Sequence, residues 1–427
     1  MKKDSSPNGT NVVREDLKNT PADLRKDYLW NTIGTSANSF ISLLLLIVVT
    51  RVNGIGDSGL FSFAFSYTIV FFTIGLYGGR IYQVSDIQNE FENRAYIFLK
   101  LLTSIFMFAA AVVFILANGY GPDRAALLLS LTVYKILDAI ADPLYGVLQR
   151  RSSLWLAGVS MTLKAVSGFA AFTAVLLWTH DMLLASLCLI GANLLFILCW
   201  DIPKMRAREA VGNVLRGNFA HGLLLLRRST WIFAFALLTT LLVNIPRYFV
   251  DIEHPKELGA FGIIIMPATL LNLFVTFLIF PKLVGLSETF ATGGYASFSR
   301  SVSKLLIVSL AFGILATLVV WLIGAPVLSF IYNVDLYPYR AAMTLVVAGG
   351  TLNTITMICS NVLSVMRRFP PQLFCYLAAV IVAFATSIPL VAAQAVSGGV
   401  LSFVIANAVQ AAAFFIVYRT VLRRLFE

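Results

Sequence analysis

Charge is what this 427-residue sequence has least of. Asp, Glu, Lys and Arg make up 12% of it and apolar residues 59%, against about 25% and 45–50% in soluble domains. No water-soluble core of this length hides so much apolar surface, so a soluble enzyme and a disordered chain are both excluded. Cysteine is scarce. Cys188, Cys199, Cys359 and Cys375 all fall inside apolar runs, at spacings that suit neither a metal nor a disulfide framework, and read as small packing residues. The three histidines, His180, His221 and His254, lie in loops on this reading, again without ligand spacing. No Gly-x4-Gly-Lys-Ser/Thr phosphate loop occurs, which argues against an ATPase. The charged start is not followed promptly by an apolar stretch and a small-residue cleavage site, so no cleaved signal is expected.

What the chain has instead is long apolar runs. Twelve can be read, at about 28–50, 58–79, 95–117, 125–147, 153–179, 182–200, 229–249, 258–280, 303–331, 339–364, 370–393 and 397–418. Each approaches the roughly 20 residues needed to cross a bilayer as a helix. They are too long and too aliphatic for membrane barrel strands. Asn53-Gly54, Gly121-Pro122-Asp123, and Arg367-Arg368 with Pro370-Pro371 punctuate them. The expected fold is an all-α integral membrane protein. Its roughly twelve transmembrane helices form two six-helix bundles, a parallel pseudo-repeat, around a central cavity. The expected divisions are a solvated tail at 1–27, a first bundle at 28–200, a basic linker at 201–228 and a second bundle at 229–427. Within the linker, Gly212–Leu226 is expected to lie amphipathically on the membrane surface.

The basic residues orient the spans. With the N-terminus inside, 24 of the 32 Lys and Arg fall on the cytoplasmic side, five fall outside (Arg51, Arg124, Arg247, Lys256, Arg340) and three lie within spans (Lys100, Lys135, Lys164). That asymmetry places both termini in the cytoplasm. It also accounts for most of the +11 net charge, as attraction to anionic lipid rather than to nucleic acid. A multi-pass membrane protein is expected.

Polar residues within the spans are patterned. Span 1 carries Asn31, Thr35, Asn38 and Ser42 on one helical face. Span 2 carries Ser62, Ser66, Thr73, Tyr77 and Arg80, span 7 Thr240, Asn244 and Arg247, and span 8 Thr269, Asn272 and Thr276 near the helix-breaking Pro267. Span 10 adds Asn353, Thr356 and Ser360. Close helix packing also uses small polar residues, but the first two spans of both halves are symmetric places, which favours a shared polar chamber. Span 4 holds Lys135, Asp138 and Asp142 on one face and span 5 holds Lys164. Four such groups facing lipid would cost on the order of 10 kcal/mol, so they face protein or water. They form either a neutralising cluster between spans 4 and 5 or a functional site, with Asp138 and Asp142 as coupling-ion candidates and Lys135 and Lys164 as substrate contacts. Arg51 and Arg247, each followed by a Gly-x-Phe sequence opening the next span, are candidates for a paired anion clamp at the outer mouth.

The stretch from Asn31-Thr32-Ile33-Gly34 to Thr50-Arg51 and Gly56-Asp57-Ser58-Gly59-Leu60-Phe61-Ser62-Phe63, with Pro246-Arg247-Tyr248-Phe249 and Leu258-Gly259-Ala260-Phe261, resembles the bacterial polysaccharide-unit flippases for O-antigen, capsule and exopolysaccharide. These belong to the multidrug/oligosaccharidyl-lipid/polysaccharide exporter superfamily. The resemblance implies a V-shaped pair of bundles around a cationic cavity. The implied cargo is an undecaprenyl-diphosphate-linked oligosaccharide carried from inner to outer leaflet for surface polysaccharide biosynthesis. Cavity cations would meet the diphosphate, here Arg51, Arg247 and Arg80, with Asn38, Asn244 and Asn272 lining the same chamber. Polysaccharide polymerase and chain-length proteins are expected partners, beside membrane lipid. No cofactor is expected, beyond coupling to H+ or Na+, and no metal site or catalytic residue. A cation-coupled multidrug or small-solute antiporter of the same fold is the alternative. A membrane polymerase or ligase is disfavoured because no outside loop is long enough to carry its acid or base, the longest lying around Asp251–Glu257.

Overall fold

The bilayer interior offers backbone groups no water, so each apolar run satisfies its own N–H and C=O groups as a helix. The computed structural model describes residues 21–86, 90–208, 219–292 and 294–426. Most of the tail and the middle of the linker, including the start of the Gly212–Leu226 stretch, lie outside them. The first half comprises α1 (Pro21–Asn53), α2 (Ile55–Leu76), the short α3 (Gly79–Ser85), α4 (Asn93–Asn118), α5 (Pro122–Arg150), α6 (Leu154–Thr179), α7 (Met182–Phe196) and α8 (Ile202–Arg208). A π-helical turn, Ile197–Asp201, joins the last two. The second half comprises α9 (Phe219–Glu253), α10 (Leu258–Ile264), α11 (Met266–Ala291), α12 (Tyr295–Val319), α13 (Ala325–Tyr332), α14 (Arg340–Val365) and α15 (Phe369–Phe426).

Ten helical stretches among the described residues are long and apolar enough to cross a membrane. The last of them reverses at Ala395 (φ 48°, ψ −123°) and makes two passes. Helix α5, 29 residues long and charged at Lys135, Asp138 and Asp142, packs between α2, α4 and α7 and completes twelve passes. Several helices outrun their apolar runs. In α1, ahead of its apolar run, Asp27 accepts the Trp155 N–H at the start of α6 (2.8 Å) and Lys26 lies over the Trp155 ring. Helix α9 begins at Phe219, so His221 and the basic pair Arg227 and Arg228 are helical rather than linker or loop. Long basic side chains reach the interface from such extensions while their stems stay on apolar surface.

The two bundles meet along α2, which packs on α9 and α10, with α4 against α9 and α1 against α13. All passes alternate, so Arg51, Arg124 and Arg247 share one end of the molecule and Arg80 and Arg150 the other. At the Arg51 end α2 and α10 cross backbone to backbone at Gly59 and Gly259; a Cβ on Gly259 would collide with the Ile55 carbonyl. Toward the Arg80 end the pass of α2 breaks at Tyr77 (φ 41°) and Gly78 (φ 66°) before α3. Just after α3, Asp86 accepts from Glu90 N (3.0 Å), Phe91 N (3.1 Å) and the Tyr96 hydroxyl (3.0 Å). Burial pushes its carboxyl up, but those donors and Arg150 hold it below the ordinary carboxylate value.

Candidate functional site

Polar residues from four helices converge. Ser42 on α1, Ser62 and Ser66 on α2, Asn244 and Arg247 on α9 and Thr269 on α11 line one cavity of about 130 Å³ with Leu46, Phe61, Phe65, Ile265 and Met266. Pro267 lies in the first turn of α11, beside the break at Ile265 where α10 gives way to α11, so the chain bends at the cavity wall. Ile69 is common to this cavity and to a wider one of about 800 Å³ toward the Arg80 end. That cavity is lined by Phe72, Thr73, Gly79, Arg80, Asp142, Gln149, Ala236 and Thr240, among others. Thr73 and Thr240 share a hydrogen bond across the bundles (3.2 Å).

The two arginines that end spans 1 and 7 have different surroundings. The Arg247 Nε is buried and makes no hydrogen bond, and Arg247 has no carboxylate partner among the described residues. Asn244, one turn away, donates back to the Thr240 carbonyl (2.9 Å). Arg51 does not line the cavity: its guanidinium donates to the carbonyls of Phe330 and Ile331, both at 2.5 Å. It thereby caps the last turn of α13 in the opposite bundle, where unsatisfied carbonyls and the helix dipole favour a cation. Asn38 is exposed on α1. Asn272 is half-buried on α11, with its carbonyl oxygen unpaired.

The intramembrane charges form three separate pairs rather than one cluster. Lys135 Nζ donates to Asp138 Oδ2 (2.8 Å), and Asn193 on α7 donates to Asp138 Oδ1 (2.9 Å). Asp142 is held by Lys100 of α4 (3.0 Å), with Arg80 at 3.9 Å. Lys164 pairs with Asp201 (2.5 Å) and donates to the Tyr145 hydroxyl (2.9 Å), which also donates to Asp201 (3.3 Å). Lys100, a span residue with no assigned role in the sequence, and Asp201, at the start of the expected linker, are both counter-ions here. The signal for both was chemical: an intramembrane lysine or aspartate demands a counter-charge. The π-helical turn seats Asp201 facing α6. Arg124 and Asp251, read only as loop charges, form a salt bridge between the bundles at the Arg51 end (3.3 Å). Nearby, the Tyr67 and Tyr248 rings stack at 4.4 Å and the Tyr248 hydroxyl donates to the Ser66 carbonyl (3.5 Å). No group of three or more His, Cys, Asp or Glu positioned for a metal occurs among the described residues.

Solved structures share this paired-bundle, multi-pass helical fold. An inward-facing multidrug resistance MATE family transporter superposes with a TM-score of 0.72 at 10% identity, covering 92% of this chain and 98% of that one. The lipid II flippase MurJ in an inward closed conformation gives 0.69 at 12% identity, covering 92% and 87%. A MOP superfamily transporter from Pyrococcus furiosus gives 0.59 at 13% identity, covering 95% and 96%. No family model matches the chain. In sequence, the chain is 25% identical over 168 residues to the capsular polysaccharide biosynthesis protein CapF of Staphylococcus aureus; the match spans 39% of this chain and only 41% of that protein.

Proposed function

We propose that this protein carries a polyprenyl-diphosphate-linked oligosaccharide from the inner to the outer leaflet of the bacterial cytoplasmic membrane, for surface polysaccharide assembly. The observation that carries the reading is Arg247, an uncompensated guanidinium in a hydroxyl-lined cavity between the first two passes of each bundle. An unpaired buried cation is costly unless an anion arrives to meet it, and a guanidinium fork matches phosphate oxygens. The Arg51 end faces outward and both termini face the cytoplasm on the positive-inside distribution. In this conformation the outward end is tied shut by the Arg124–Asp251 pair, the Arg51 cap and the α2–α10 crossing. On that orientation the wide cavity, lined by Arg80 and Gln149, lies toward the cytoplasm. The prenyl tail stays in lipid while the cleft shields diphosphate and sugars, and rocking of one bundle against the other moves the opening to the far side.

The partial match to a capsular polysaccharide protein and the fold shared with a lipid II flippase support this reading. A cation-coupled antiporter is less favoured: Asp138 and Asp142, the carboxylates it would use for H+ or Na+, each already hold a lysine ammonium. Polymerase and chain-length proteins would be downstream partners.

The test is surface polysaccharide in cells carrying Arg247→Ala at normal protein abundance. Loss of a charge-assisted contact corresponds to a drop of about tenfold or more, with partial retention in Arg247→Lys. Normal polysaccharide in Arg247→Ala cells would overturn the reading.

A further inference from the structure

The wide cavity holds a second cation that a lipid diphosphate seated at Arg247 does not reach. We propose that the oligosaccharide cargo is itself acidic: it bears a sugar carboxylate or a phosphate ester that Arg80 receives, while the lipid diphosphate lies at Arg247. The inference rests on the proposed function and names the cargo's chemical class.

Three observations carry it. The first is distance. The Tyr248 hydroxyl reaches the Ser66 carbonyl, so Arg247 lies level with Ser66 on α2. Arg80 follows Ser66 by 14 residues across the Tyr77–Gly78 break, roughly 20 Å at the helical rise. The Arg80 guanidinium donates to Gln149 on α5 rather than reaching back toward Arg247, so a diphosphate seated at Arg247 does not bridge that backbone gap. The second is volume. The chamber at Arg247, about 130 Å³, suits a compact charged group, whereas the 800 Å³ cavity at Arg80 is of the size that holds extended ligands.

The third is charge. Asp142 is the carboxylate among the residues lining the wide cavity, and Lys100 already satisfies its Oδ2 at 3.0 Å. Arg80 stands 3.9 Å from the other oxygen, beyond hydrogen-bond length. The three groups together carry one net positive charge. Arg80 is also oriented in advance: it donates to Gln149 Oε1 (3.1 Å) and lies 5.9 Å from the Tyr145 ring centroid, which leaves most of its five donors unspent. Lys100 is a positioning residue here. It is buried and anchored by the Leu76 carbonyl at the end of α2, and by occupying Asp142 it keeps Arg80 available.

The test uses the purified full chain in nanodiscs and three short-chain polyprenyl-diphosphate disaccharides, ending in a uronic acid, a sugar 6-phosphate or a neutral hexose. Wild type is expected to bind at least one anionic probe about tenfold tighter than the neutral one; whichever is preferred identifies the anion. Arg80→Gln should bring that ratio to about one. Lys100→Met should do the same, by releasing Asp142 to capture Arg80. If Lys100→Met fails to fold, Asp142→Asn supplies the opposite check, because removing the competitor should preserve or raise the ratio. Equal binding of all three probes by wild type, or a ratio that survives Arg80→Gln, overturns the proposal. Arg247→Ala tests the underlying function separately: undiminished binding of the neutral probe by that variant would defeat the diphosphate assignment whatever Arg80 does.

Discussion

Arg51 and Arg247 occupy matching places in the two halves of the sequence, yet one caps a helix and the other faces a cavity. The sequence flags both, because an arginine at the end of an apolar run is conspicuous. What each guanidinium touches depends on which bundle lies opposite, and spacing along the chain carries no record of that. The same holds for the buried pairs. Lys164 announces a need for an anion, but its partner is Asp201, beyond a π-helical turn. Breaking a buried pair costs more than replacing it, since the survivor keeps its charge without compensation. Lys164→Met should therefore destabilise the protein by about 3–5 kcal/mol, and Lys164→Met combined with Asp201→Asn by clearly less. Thermal unfolding in detergent measures both; equal losses would show that the ion pair is not what holds α6 to that turn.

At the scale of elements, apolar length settles where helices run, and local chemistry settles where they stop. Gly119, His180 and Asn333 end α4, α6 and α13 in the left-handed region, and Asp181 caps α7 through the N–H groups of Leu183 and Leu184. The break in the second pass is subtler. Gly78 adopts φ 66°, and a Cβ there would also press into Ile232 of α9. Gly78→Ala should thus cost more than the 1–2 kcal/mol of left-handed strain alone. Gly121→Ala, where φ is −62° and a Cβ would meet nothing within 4 Å, should be nearly neutral. Melting temperatures of the two variants decide the comparison, and similar losses in both would contradict the assigned role of the break. The twelve-span reading survives with shifted ends: α9 begins at Phe219 instead of about 229, because basic residues at an interface extend a helix that an apolar count would cut short.

At the scale of the whole molecule, three ties close the Arg51 end: the Arg124–Asp251 pair, the Arg51 cap on α13 and the backbone crossing of α2 and α10. The alternating access proposed above requires them to part. Asp251→Asn weakens the one tie that joins opposite charges, and should shift the population toward an opening at that end. With the four native cysteines replaced, a Ser66→Cys reporter, buried here, should react several-fold faster with a membrane-impermeant thiol reagent applied to whole cells. Exchanging the charges, Arg124→Asp with Asp251→Arg, should restore the slow rate. A reporter indifferent to both changes would show that the pair does not hold the end shut.

The sequence alone determined the membrane class, the number of passes, the alternation of ends and the four polar helix faces. Each follows from what a bilayer imposes on a single segment: enough apolar length to cross, no unsatisfied backbone, and no charge without a reason. Only the tertiary structure decided which faces meet, which lysine answers which aspartate, and that Arg247 has no carboxylate among the described residues while Arg51 rests on the Phe330 and Ile331 carbonyls. Those outcomes depend on distances between segments far apart in the chain, and in a low-dielectric interior a difference of one or two ångströms separates a satisfied charge from one that awaits a ligand.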